Sequence, residues 1–159
     1  IGVLETHTQD ILRKDPEILS HIVSRCVDIK AEVVAKDVRD HGWRKVLNAG
    51  HTVGHALEAA TQYQRWRHGD AVAIGLLKEL DFAEKNGWCV EKGASERLLA
   101  LLLAFGFSLD CGDVDKERVI SAFHLDKKRN FDKIQLPLIK KPGVVGLMEV
   151  DIRRVQELF

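Results

Sequence analysis

The chain has 159 residues, a length that suits one domain with a substantial apolar core. Its 24 basic and 24 acidic residues cancel, which excludes a global field drawing it to nucleic acid or to an anionic membrane, so an anionic ligand must be met by a local group of charges. Cys26, Cys89 and Cys111 show no Cys-x-x-Cys spacing, which argues against a zinc ribbon, a redox motif and a disulfide framework, and fits a reducing, cytoplasmic setting.

The chain opens on Ile1 rather than Met, as a piece cut from a longer polypeptide would, and its first residues lack the pattern of a secretory signal. Asp15-Pro16, followed by apolar residues three and four apart from Ile18 to Val34, predicts an amphipathic helix over 16–36, with Asp15 as N-cap and Cys26 as a small core filler. A second helix is expected from Leu47 or Asn48 through Ala60, then a polar loop to Arg67. Asp70 reads as the cap of a third helix that ends at Lys85 before Asn86-Gly87. Ser95 reads as the cap of a fourth, ending at Phe105-Gly106; its apolar run, Leu98 to Phe105, is too short to cross a bilayer, which takes about 20 residues. Another helix follows Asp115 to Phe123 and leads into the basic knot Asp126-Lys127-Lys128-Arg129. Only the tail alternates: residues 133–139 and 143–150 read as two short strands, Pro137 confines the first to an edge, and a last helix starts at Asp151. The expected fold class is mainly α, multi-helical, with a small C-terminal β-hairpin.

The chemistry concentrates in Arg44-Lys-Val-Leu-Asn48-Ala-Gly50-His51-Thr-Val-Gly54-His55 and in His68-Gly69-Asp70. Residues four apart on a helix share a face, with Cβ atoms about 5–6 Å apart, so His51 and His55 can reach one cavity. A catalytic zinc typically takes three protein ligands and keeps one position open, and a third His in a following loop can complete such a set. Spacing alone leaves open which His binds metal, and a His pair of this kind also occurs solvated or hydrogen-bonded in a core. Glycine inside a helix costs about 1 kcal/mol against alanine, and Gly50 and Gly54 read as keeping space open for a ligand.

With Lys30-Ala-Glu-Val-Val34, Gly42-Trp-Arg44, Leu47-Asn48-Ala-Gly50-His51-Thr-Val-Gly54-His55-Ala-Leu-Glu58, His68-Gly-Asp70 and Asp126-Lys127-Lys128 in this order, the chain closely resembles the C-terminal half of 3-dehydroquinate synthase, a sugar phosphate cyclase. The resemblance implies conversion of the phosphorylated keto acid DAHP to 3-dehydroquinate plus phosphate, in the shikimate pathway of aromatic amino acid biosynthesis, with catalytic NAD and a divalent metal, zinc or cobalt. It implies that His51 and His68 ligate the metal and that His55 faces the substrate as an acid–base group. Lys30, Arg44 and Asn48 match family residues that hold the substrate's carboxylate, hydroxyl and phosphate groups, roles suited to an Arg fork and a compact ammonium. Lys127 or Lys128 matches a further ligand contact. Asp40 stands where the family typically has Glu, and Asp70 replaces the Glu that usually follows His-Gly, where capping suffices to explain it.

The family's third metal ligand, a Glu in a Glu-x-x-Lys segment, is expected before this stretch; residues 1–15 hold only Glu5, without a Lys three positions on. The α/β half that holds NAD is also expected outside this chain, so the whole of 1–159 reads as one metal- and substrate-binding domain whose partner half acts in cis or in trans. The family's frequent dimerisation adds a homodimer to the expectations. The rival readings are another cyclitol-forming cyclase, a metal-dependent alcohol dehydrogenase of the glycerol dehydrogenase type, and a non-catalytic helical binding domain.

Overall fold

The computed structural model describes residues 1–39, 42–112, 114–125 and 133–159, apart from the side chains of 124 and 125. Its elements run α1 (Gly2–Thr6), α2 (Thr8–Leu12), α3 (Pro16–Lys36), a 3-10 helix (Trp43–Asn48), α4 (His51–Ala60), α5 (His68–Lys85), α6 (Ala94–Ala104), α7 (Lys116–Leu125), β1 (Lys133–Lys141), β2 (Val144–Asp151) and a terminal 3-10 helix (Ile152–Leu158). The expected class holds: mainly α with a C-terminal antiparallel hairpin.

The start of α3 follows its sequence signal, since the Asp15 carboxylate accepts from the Glu17 and Ile18 amides at 3.0 Å each and Pro16 opens the helix. Its apolar stripe, however, is covered only in part. No residue of α3 is buried, and Val23 and Val27 are 61% and 60% exposed. Cys26 is exposed as well, which corrects its reading as a core filler. The physical reason is that, among the described residues, α3 rests mainly on α2 and the first 3-10 helix, which leaves its middle turns exposed.

Three other boundaries move. Gly50, at φ 80, is left-handed, so α4 begins at His51, and Trp43–Asn48 forms a separate 3-10 helix. The third helix starts at His68 with Arg67 as its cap, which leaves Asp70 in the first turn, where its charge favours the positive end of the helix dipole. The fourth starts at Ala94 after left-handed Gly93, and its free amides at Ala94 and Ser95 donate to Glu84 of α5 at 2.9 Å each. A carboxylate from a neighbouring helix therefore does what Ser95 was expected to do.

The core forms between α4 and α5 from Val53, Ala56, Leu57, Ile74 and Phe82, closed by Leu98 and Leu102 of α6, Phe123 of α7 and the inner face of the hairpin, Ile134, Leu136 and Leu138. In the hairpin Pro137 pairs with Leu147, and each strand has one free edge, which Pro tolerates. The last element is a 3-10 helix, with the Asp151 carboxylate accepting from the Arg153 amide at 2.9 Å. Among the described residues no helix is long and apolar enough to cross a membrane.

Candidate functional site

The site begins with a contact between two helix backbones. A Cβ built on Gly75 of α5 would overlap the Gly50 carbonyl oxygen and lie 2.8 Å from the Gly54 nitrogen. One built on Gly50 would lie 2.6 Å from the Val72 carbonyl, and one on Gly54 3.1 Å from the Ala71 carbonyl. These glycines therefore let α4 and α5 touch. The expectation that Gly50 and Gly54 hold space open for a ligand is corrected: the volume their missing side chains would fill is occupied by the other helix.

That contact brings three imidazoles together. His51 and His55 lie on one face of α4, and His68 is the first residue of α5. Ring centroids are 5.6 Å apart for His51 and His55, 5.4 Å for His51 and His68, and 5.6 Å for His55 and His68. His51 is half-buried, while His55 and His68 are exposed toward solvent.

The nitrogens are not equivalent. Nδ1 of His51 lies 3.4 Å from the Ala49 carbonyl, and Nδ1 of His68 lies 3.2 and 3.3 Å from the two oxygens of buried Glu58. Both acceptors call for a proton on Nδ1 and leave Nε2 with a free lone pair. His55 has neither nitrogen hydrogen-bonded among the described residues. Glu58 also stands with His55 and His68 in a group whose ligand atoms lie within 4.8 Å of one another.

Arg44 and Asn48 project from the 3-10 helix that leads directly into α4. The turn is anchored from α3's end by buried Asp37, whose Oδ2 accepts from the Gly42 and Arg44 amides at 3.0 Å each. The Arg44 guanidinium is half-buried, the Lys30 ammonium on α3 is exposed, and neither has an ion pair among the described residues. Lys30 stands on the helix that packs on the Arg44 turn. Asp40, Lys127 and Lys128 lie outside the described residues. Glu5 is engaged elsewhere, in a paired contact with Arg97 at 2.6 and 2.7 Å.

Sequence reasoning missed three acids. Glu58 was visible only as the third member of His51-x-x-x-His55-x-x-Glu58 on one helical face. Asp37 closes the string Lys30-Ala-Glu-Val-Val34-Ala-Lys-Asp37 that carries the resemblance, but no role was expected of it. Glu79, 1% exposed, is the buried carboxylate of α5; its Oε2 accepts from the Gly50 amide at 2.7 Å, and among the described residues its Oε1 has no hydrogen-bond partner. Burial pushes its carboxyl up to about 8, against the pull of the Gly50 and Val53 amides. Glu79 thus ties the first turn of the helix that carries His51 and His55 to the helix that carries His68.

The family model described as 3-dehydroquinate synthase C-terminal matches residues 2–129. The chain is 41% identical over 154 residues to the 3-dehydroquinate synthase of Caldanaerobacter subterraneus subsp. tengcongensis, an alignment covering 97% of this chain and 42% of that protein. It is 42% identical over 146 residues to that of Dictyoglomus thermophilum, covering 92% and 41%. Among solved structures, 2-epi-5-epi-valiolone synthase from Streptomyces hygroscopicus subsp. jinggangensis with NAD+ and Zn2+ bound superposes with a TM-score of 0.81 at 19% identity, over 99% of this chain and 44% of that one. The complex of 2-deoxy-scyllo-inosose synthase with carbaglucose-6-phosphate, NAD+ and Co2+ gives 0.75 at 22% identity, over 90% and 42%. The chain thus spans about two fifths of the length of the curated relatives it matches. With the family model running through both helices of the histidine cluster and identity near two fifths along most of its length, the chain belongs to the 3-dehydroquinate synthase C-terminal family.

Proposed function

We propose that this chain is the metal- and substrate-binding part of a 3-dehydroquinate synthase, which converts DAHP to 3-dehydroquinate and phosphate. NAD is held by an α/β half that lies outside these residues, and a divalent cation, zinc or cobalt, sits at the histidine cluster. The observation that carries this reading is the division among the three imidazoles: His51 and His68 have Nδ1 engaged and Nε2 free, while His55 has neither nitrogen bonded. A metal-binding His commonly donates its other N–H to a carboxylate or backbone carbonyl, so the first two fit a divalent cation and the third does not carry that mark. When bound, the cation supplies Lewis-acid polarisation of the substrate hydroxyls.

The chain's own residues would then act as follows. His55, beside both ligands, would accept the proton of the substrate hydroxyl at the carbon to be oxidised, a general-base role open to an imidazole whose nitrogens are not hydrogen-bonded among the described residues. Arg44 and Lys30 meet the carboxylate and phosphate, and Asn48 meets a hydroxyl. Identity near 40% to proteins named 3-dehydroquinate synthase, against 19% and 22% to the cyclitol-forming enzymes, ranks DAHP ahead of a hexose or other heptulose phosphate.

Calorimetry on the 159-residue chain tests the division of labour. His51→Ala and His68→Ala are each expected to weaken Zn2+ binding by more than the ~10–100-fold that loss of an outer partner costs, and His55→Ala to leave it within about threefold. Equal losses in all three variants would overturn the assignment. A second expected result concerns turnover. The chain alone, given DAHP, NAD and Zn2+, should release no phosphate, and release should begin when the NAD-binding half is added; steady release from the chain alone would overturn the claim that the site is shared between halves.

A further inference from the structure

We propose that Glu58 is a positioning residue that fixes the Nδ1–H tautomer of His68 and thereby keeps its Nε2 lone pair available beside His51 and His55. The two side chains differ sharply in setting: Glu58 is 7% exposed and His68 56% exposed. Glu58 closes the apolar face of α4 beside Leu57, on the helix that the glycine contact presses against α5. Its place is therefore set by packing. An ionised carboxylate only accepts hydrogen bonds, so with both oxygens 3.2–3.3 Å from Nδ1 it requires the proton to sit there. His68, at the exposed first position of α5, has no other hydrogen bond among the described residues to choose its tautomer or its ring angle. In return, the N–H offsets the cost of burying a carboxylate.

Glu58 lies three residues after His55 and close to both imidazoles, so direct ligation is the competing use of the same geometry. The burial of Glu58 and the facing of both its oxygens to one ring nitrogen favour orientation over ligation. The functional meaning of this arrangement rests on the reading of His68 as a metal ligand; the tautomer itself does not.

The test is a long-range 1H–15N NMR measurement of the histidine side chains in the metal-free chain at about pH 8.5, above the ordinary titration of histidine. His68 is expected to carry its proton on Nδ1. Glu58→Gln, whose amide oxygen can accept the same proton, should keep that tautomer, whereas Glu58→Ala should move it to Nε2. A proton on Nε2 in the wild type, or an unchanged tautomer in Glu58→Ala, would overturn the proposal. In Zn2+ calorimetry, Glu58→Ala should bind about 10–100-fold more weakly with an unchanged helical circular dichroism signal, and Glu58→Gln should recover most of the affinity. Equal affinities in the wild type and Glu58→Ala would count against the positioning role, and a Glu58→Gln loss as large as that from His68→Ala would make Glu58 a ligand instead. If the wild type binds no Zn2+ even with the NAD-binding half present, the reading of the cluster as a metal centre fails, while the tautomer of His68 still decides this inference. Should Glu58→Ala unfold, the wild-type and Glu58→Gln spectra carry the decision.

Discussion

Replacing Gly75 by alanine is expected to destabilise this chain by about 3 kcal/mol, a drop of roughly 6–12 °C in Tm for a domain of this size, and to weaken Zn2+ binding. The added methyl would overlap the Gly50 carbonyl oxygen and press on the Gly54 nitrogen, which are backbone atoms that cannot rotate aside. Relief requires α4 to move away from α5, and that movement separates His51 and His55 from His68. The matched control is Gly69→Ala. Nothing lies within 4 Å of a Cβ built there, and the residue sits in the first turn of α5, so the change should be neutral or stabilising by up to about 1 kcal/mol. Denaturant midpoints and calorimetric Zn2+ titrations on both variants check the expectation. A Gly75→Ala chain as stable as Gly69→Ala would mean that the two helices are not held in backbone contact.

The second large effect is a pH dependence centred on Glu79. Its carboxyl is raised by burial from an ordinary 4.5 to about 8 in the folded chain, because a neutral acid loses far less on leaving water than a carboxylate does. A folded value above the unfolded one means that the folded state holds a proton the unfolded state has already released. The associated stability is fully present below about pH 4.5 and is lost as pH rises toward about 8, by up to about 1.4 kcal/mol per unit. Glu79→Gln cannot take up or release this proton, so its stability should be nearly flat across that window. Its amide oxygen can still accept from the Gly50 amide, while its buried amino group costs about 1–3 kcal/mol at low pH. Urea midpoints at about pH 5, 6.5 and 8 should therefore draw together and then cross, the wild type being the more stable protein at about pH 5 and Glu79→Gln the more stable at about pH 8. The carboxyls with depressed values, Glu5 beside Arg97, Glu84 beside Ser95, Asp151 beside Arg153 and Glu157 beside Arg154, titrate below this window. Curves for wild type and Glu79→Gln that run parallel from pH 5 to 8 would refute the assignment.

Helix α3 was readable to the residue because its signals are local: an Asp cap, a Pro in the first turn and a regular apolar spacing all lie on one segment. The caps at Asp70 and Ser95 were misread for the complementary reason. A Ser or Asp near a helix start competes with any other acceptor in reach, and at α6 that acceptor is Glu84, more than a turn away on another helix. The spacing of Gly50, Gly54 and Gly75 was equally visible, but a missing side chain serves a ligand or a neighbouring backbone alike, and only the approach of α5 distinguishes them. Residues 126–132, which include Lys127 and Lys128, and Asp40 lie outside the described residues, so their expected roles rest on resemblance alone.

The sequence by itself determined the family, the helical class, the terminal hairpin and the pairing of His51 with His55, since four-residue spacing is a property of a single helix. The tertiary structure decided how His68 meets that pair, which spacing left open, that Glu58 and Glu79 are buried where they can order the site, and that the apolar stripe of α3 is covered only in part. Periodicity states which residues share a face, whereas burial and proximity depend on what packs against it; here that is settled by a backbone contact between α4 and α5 made possible by glycines far apart in the chain.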